Sequence, residues 1–262
     1  MKLVQKLAAV TLIAASSFAA QATQITSVAG VTWDTDHLGF TSEDFISLGN
    51  FTQWYGTSAG SPTTGTNLNA VVAPGTVGSF LQGAGVINSF NGQSSGFVCA
   101  SCQLTFTFGG LKFDGNVAND GSLFDVAASK SSAFFNLYSR ATNNFTHSFQ
   151  SETELQRATD GVLFLGMKMV NMLEQAGFTP ASGFLDSYWN ATSGAAAWNF
   201  DTNTELFKTD IWFTASASLQ GSRFLSGNGT AVGDSISAPS SLAVLGLGLL
   251  GLAGVARRKK SA

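Results

Sequence analysis

The chain has 262 residues, 44% hydrophobic and only 11% charged. So apolar a composition excludes an intrinsically disordered polymer, because enough surface can be buried to offset the ordering entropy. The formal net charge is −3, but six of the 13 cations lie at the extreme ends, leaving seven against all 16 acids between them, a net −9 that excludes DNA or RNA partners.

Residues 1–22 begin with Lys2 and Lys6, continue through an apolar stretch from Leu7 to Phe18, and end in Ala20-Gln21-Ala22. This three-part pattern predicts a signal helix cut by signal peptidase beside Ala20 and Ala22, the small residues fitting the narrow subsites of that enzyme. The following 214 residues, 23–236, form one exported domain with no clean linker and no internal repeat.

The periodicity of that domain is mostly two. Leu104, Phe106 and Phe108 alternate with Gln103, Thr105 and Thr107, and Gly109-Gly110 then predicts a hairpin or a bulge. Ser151-Glu152-Thr153-Glu154 matches a capping box and predicts one short helix ending near Asp160. Val162 to Val170 is nearly continuous apolar and reads as a central strand or a buried helix; Ile211 to Leu219 alternates as a half-buried strand. Asp114-Gly115, Asp120-Gly121, Asp160-Gly161, Gly227-Asn228-Gly229 and Ser61-Pro62-Thr63-Thr64-Gly65 read as turns. Short strands with such punctuation predict an all-β fold, a single β-sandwich or jelly roll. The 22 Phe serve its core, while the five Trp (Trp33, Trp54, Trp189, Trp198, Trp212) could stack on carbohydrate if exposed in a row.

Chemistry-bearing patterns are sparse. Cys99 and Cys102, the only cysteines, are expected to close a local disulfide at the start of the 103–108 strand. Zinc would need two further ligands, and His37 and His147 lack the spacing for it. G-x-S-x-G occurs at Gly56–Gly60 and Gly92–Gly96 without the strand-to-helix context of a nucleophile elbow, and His147 is the base such a hydrolase would use. Asp34/Asp36, Glu43/Asp44 and the 114–121 loop pair acids outside any calcium-loop pattern. Neither a catalytic set nor a metal or other cofactor is expected.

At the C-terminal end Ser237-Ala238-Pro239-Ser240-Ser241 leads into Leu242 to Ala256, which carries no polar side chain, and then into Arg257-Arg258-Lys259-Lys260. Fifteen helical residues span about 22 Å, and extension back to Ile236 reaches the roughly 30 Å of a hydrocarbon core. The basic cluster holds this transmembrane helix with its end on the cytoplasmic side.

This tail, about the last 26 residues, resembles the PEP-CTERM sorting signal of exported bacterial proteins, with Ser237-Ala238-Pro239 in place of Pro-Glu-Pro. The resemblance implies processing by an exosortase-type membrane peptidase, an inner-membrane-anchored intermediate, and a final place at the cell surface or in the extracellular matrix. It also implies a non-catalytic, structural or adhesive role linked to exopolysaccharide. A carbohydrate-binding module, with or without calcium, is the alternative; a secreted hydrolase is a third reading.

Overall fold

The computed structural model describes residues 25–37, 44–61, 63–68, 70–94, 98–115, 122–174, 182–218 and 223–236. The signal segment with Ala20 and Ala22, and the tail with Ser237, Ala238, Pro239, Leu242, Ala256 and Arg257 to Lys260, lie outside the described residues. Among the described residues no helix is long and apolar enough to cross a membrane.

A hairpin of β1 (Ile25–Val28) and β2 (Val31–Asp34) comes first. It is followed by β3 (Phe45–Gly56), β4 (Val71–Val72), β5 (Phe80–Phe90), β6 (Gln93–Ser94), β7 (Gln103–Lys112), α1 (Val126–Ser132) and β8 (Phe134–Arg140). Then come α2 (Glu152–Gln156), β9 (Val162–Glu174), β10 (Ser182–Ser193), α3 (Ala197–Phe200), a 3₁₀ turn at Leu206–Lys208, β11 (Ile211–Ser218) and β12 (Leu225–Gly233). β3, β5, β7, β8, β9, β10, β11 and β12 each pair antiparallel with the next, and β12 returns to β3 over nine residue pairs from Leu225↔Gln53 to Gly233↔Phe45. The all-β expectation therefore holds, but the architecture is a closed eight-stranded up-and-down barrel and not a sandwich or jelly roll. Period-two alternation says that one face of a strand is buried. It does not say whether the buried faces belong to two stacked sheets or to one sheet rolled on itself.

Two residue types make closure possible. On β3 the inward positions are Phe45, Ser47, Gly49, Phe51, Gln53 and Tyr55, all buried. Phe51, Phe106, Phe108, Phe135, Trp189 and Phe213 meet in the middle of the barrel, with Phe135 stacked on Phe106 at 5.1 Å and tilted against Phe213 at 5.3 Å. Rings of that size fill the lumen only if some inward positions carry no side chain. Gly83 and Gly85 stand across from Phe108 and Phe106 on the neighbouring strand, and Gly227 stands across from Phe51. A Cβ on Gly85 would lie 2.4 Å from both the Phe106 ring and the Asn50 carbonyl, and one on Gly227 would lie 2.4 Å from the Phe51 ring. Among the described residues, apolar voids of about 40 and 30 Å³ lie within the lumen. The abundance of Phe and Gly is one packing solution, large rings seated on bare backbone.

The Gly227-Asn228-Gly229 turn reading is overturned: these residues run through the middle of β12. The Gly109-Gly110 pair forms a bulge opposite Gln82, not a hairpin, and β7 continues to Lys112. Val162–Glu174 is a strand, and the Ser151/Glu154 capping box opens α2 as expected, although α1 and α3 add to the single short helix predicted.

One rim is closed by the β1–β2 hairpin. Trp33 stacks on Phe200 of α3 at 5.4 Å and turns its edge to Phe164, and its indole donates to Ser235 Oγ. The opposite rim is closed by Phe113, Phe124 and Tyr55, under a loop whose 122–124 groups donate three hydrogen bonds to Glu174 Oε1. Outside the barrel the 141–161 segment lies over β3, β5 and β7, burying Trp54, Ala84, Phe145, Phe149, Leu155 and Ala158 in a second cluster. Buried Arg140 fastens it, donating to both carboxylate oxygens of Asp160 (2.5 and 2.8 Å), to Gln103 and to Asn144.

Candidate functional site

Beyond the edge of this covering segment, on the outer wall from β5 through β3, β12 and β11 to β10, lies a groove of about 340 Å³. Its floor is the paired Gly49 and Gly229 of β3 and β12, whose inner sides rest on the rings of Phe106 and Phe213. With no Cβ at either position the two rings seat directly against the backbone, which forms the floor of the groove on its outer side.

The groove runs across the strands from β10 to β5, a width of about 19 Å at the usual strand spacing. Phe184, 56% exposed, stands at the β10 end, and Leu48, 48% exposed, stands on β3. Between and beyond them lie Thr214 and Ser216 of β11, Asn228 and Thr230 of β12, and Asn50 of β3. A register shift on β5 pairs Leu48 with Ser89 and Gly49 with Ile87, leaving Asn88 as the extra residue; both Asn88 and Ser89 line the groove. A bulge re-aims side chains in this way. Among the described residues the side-chain amides of Asn50, Asn88 and Asn228 make no hydrogen bond, so each offers two donors and an acceptor to whatever enters. Thr214 instead donates to Asp186 Oδ1, which also accepts from the indole of Trp212 and holds that wall rigid. No lining residue carries a formal charge. A neutral trough with amides, hydroxyls and an aromatic at one end can receive a flat, hydroxyl-rich, uncharged molecule.

The residues singled out from sequence are elsewhere. Cys99 and Cys102 are joined in a disulfide just before β7, their Cα atoms 5.0 Å apart, and Cys102 lies against Gly30 in the hairpin turn. Ser58 of Gly56–Gly60 is exposed beyond the end of β3 with no helix after it, and Gly92–Gly96 runs out of the described residues. His147 is half-buried in the covering segment, where its carbonyl accepts from Thr52 Oγ1, and no hydrogen bond joins it to Ser58 among the described residues. Asp34 accepts from the Asp36 amide in a local turn, while Glu43, His37's successors 38–42 and Asp120 are outside the description. Among the described residues no group of three or more His, Cys, Asp or Glu is placed to hold a metal.

Among the described carboxyls Asp44 is shifted furthest from its ordinary value. Burial, with repulsion from Asp234, Asp36 and Asp34, raises it from the ordinary 3.8 to about 6 against the opposing hydrogen bond from the Ser235 amide. Burial likewise raises Asp210, which three backbone amides of Asn203, Ala191 and Thr202 hold in place.

No row of tryptophans forms. Trp33, Trp54 and Trp189 are core residues, Trp212 is half-buried beside the groove, and only Trp198 is exposed, at 42%. The groove is not legible in the sequence, because β3, β5, β10 and β12 carry Gly, Asn and Ser where a strand signal needs alternating apolar bulk. The usable signal was Asn at positions alternating with Gly in Gly49-Asn50 and Gly227-Asn228-Gly229.

The fold and groove together define a closed, interior-filled up-and-down barrel with an uncharged groove on its outer wall. Compared with known proteins, the chain matches no family model, no curated protein and no solved structure.

Proposed function

We propose that this chain is an exported bacterial surface or matrix protein, sorted by its PEP-CTERM-like tail, whose barrel holds extracellular polysaccharide in the transverse groove. The observation that carries the polysaccharide part is the set of three unpartnered amides in an uncharged trough ended by an exposed aromatic ring. Sugar hydroxyls satisfy amides in pairs, and an aromatic face receives the apolar side of a sugar ring. A filled lumen supports the same reading, since voids of about 40 and 30 Å³ leave the outer wall as the roomier surface for a ligand. The sorting part rests on residues 1–22 and 237–262, in the order of their charged, apolar and small residues. Signal peptidase and an exosortase-type peptidase are then the processing partners, and the role is adhesive or structural, not catalytic.

The test has two readouts on protein recovered from its native cells and medium. Intact mass reports removal of residues 1–22 and of the segment after Ser237; a mature species retaining both would overturn the sorting proposal. Affinity electrophoresis in gels containing the cells' own exopolysaccharide reports binding. The double variant Asn50→Ala/Asn228→Ala is expected to weaken retention by about tenfold or more, two lost hydrogen bonds at about 1 kcal/mol each, while its unfolding midpoint stays close to that of the parent. Retention unchanged in the variant would sink the groove assignment.

A further inference from the structure

A second hollow, of about 190 Å³, lies between residues 64–67 and α2, apart from the transverse groove. Its construction differs in one respect that decides what it could take: it contains a carboxylate. Glu152 is half-buried there, and its Oε2 accepts from the Leu68 amide at 2.7 Å, which fixes the side chain in place. Neither of the two ion pairs among the described residues involves it. Thr66, only 6% exposed, also lines the hollow, and its Oγ1 is buried without a hydrogen-bond partner. Gln156, Thr64 and Thr159 complete the wall with an amide and two hydroxyls.

The scaffold beneath is rigid. The Ser151/Glu154 capping box sets α2, Leu155 anchors it in the cluster around Trp54, and the Trp54 indole donates to the Asn67 carbonyl in the facing loop. Ser61 and Gly65 close that loop with two backbone hydrogen bonds. Gly65 has φ +75° and its Cβ position lies 3.2 Å from the Thr159 methyl, so a side chain there would be strained and would crowd this wall.

We infer that this hollow is a binding site for a primary ammonium group carried on a small hydroxylated ring, an amino sugar in chemical class. One carboxylate is too few for calcium, which takes six to eight oxygens and clustered acids. An anion would meet Glu152 in a domain whose net charge is −9. An apolar guest would leave the buried Thr66 hydroxyl without a partner. An ammonium brings a compact charge with three donors, matched by the second oxygen of Glu152, the Thr66 hydroxyl and the Gln156 carbonyl, while ring hydroxyls reach Thr64 and Thr159. This site goes beyond the groove and does not depend on it.

The test is titration of the full chain at neutral pH with glucosamine, N-acetylglucosamine and glucose, followed by saturation-transfer NMR and calorimetry. Glucosamine is expected to bind with a millimolar Kd, and the two sugars lacking a free amine about tenfold more weakly or not at all. Glu152→Gln keeps an acceptor for Leu68 and should cost about tenfold; Thr66→Val, close to isosteric, should cost severalfold even if the first variant folds poorly. All titrations are repeated in the Asn50→Ala/Asn228→Ala background, which disables the groove as a second sugar site, so that the preference for the free amine and its loss in Glu152→Gln report this hollow alone. Absence of binding at tens of millimolar glucosamine, equal binding of the acetylated sugar, or full affinity in Thr66→Val would each overturn the inference.

Discussion

Glycine in this barrel does the opposite of what it does in a turn. At Gly83, Gly85, Gly227 and Gly229 it is an inward-facing strand residue whose missing side chain is replaced by a neighbour's ring. Such a position tolerates no methyl. At Gly85 the added carbon would meet both a ring edge and a carbonyl oxygen of the adjacent strand, so ring rotation alone cannot relieve it. Gly85→Ala is therefore expected to destabilise by about 1–3 kcal/mol, the usual cost of overpacking a filled core. Gly92→Ala is the comparison: it has open space around its Cβ position but φ +70°, so it should lose about 1 kcal/mol by backbone strain alone. Urea unfolding of both variants checks the order, and a smaller loss at Gly85 would show that the interior is looser than described.

At the scale of elements, what was legible in the sequence followed side-chain bulk. The 103–108 and 211–218 strands carry apolar side chains on alternate positions, and α2 carries its capping box, so each is visible in isolation. β12 is not, because Leu225-Ser226-Gly227-Asn228-Gly229-Thr230 has the composition of a loop, and only the rings of Phe51 and Phe213 make it a strand. β5 hides in the same way behind Gly83 and Gly85. The groove and the amine hollow were equally invisible, since each is assembled from strands or loops far apart in sequence. Arg140 is a further instance: nothing near it in sequence indicates that its guanidinium, almost fully buried, organises the 141–161 segment. Its partner Asp160 is half-exposed, and this asymmetry gives a prediction. Arg140→Met leaves Asp160 to be hydrated, whereas Asp160→Asn leaves a buried cation without its counter-charge. The Asp160 substitution, though smaller, is expected to cost at least as much, about 2–4 kcal/mol, with hydrogen exchange in 141–161 rising first. A milder effect for Asp160→Asn than for Arg140→Met in denaturant titrations would reverse the argument.

At the scale of the whole molecule, closure depends on the β3–β12 seam and on the rim where the two strands end together. Asp44 precedes β3 there and accepts from Ser235, two residues past β12, while Asn91 donates to the carbonyls of Asp34 and Asp44 and joins β2 to the same corner. Because burial lifts the Asp44 carboxyl from 3.8 to about 6, folding favours its protonated form. The resulting stabilisation is complete below about pH 4 and is lost as pH rises through about 6. Asp125 and Glu154 are shifted downward by backbone hydrogen bonds and act in the opposite sense, so the comparison belongs between parent and Asp44→Asn. The parent's stability relative to this variant is expected to fall between pH 4 and 7, as followed by chemical denaturation across that range. A difference independent of pH would remove Asp44 from the corner's energetics.

That corner also fixes how the body meets tension. Ser235 lies against Trp33, and Ile236 is tied to Asn199 by two hydrogen bonds, so the polypeptide enters and leaves the barrel through one pole. Load applied at both exits reaches the β3–β12 ladder at its Gly233–Phe45 rung and opens it one rung at a time, like a zip. Load entering by one exit and leaving through a ligand gripped on the side wall must instead slide neighbouring strands past each other, breaking many rungs at once. With the proposed groove as the grip, a body loaded between pole and flank is expected to withstand more force than the same body pulled by its two ends.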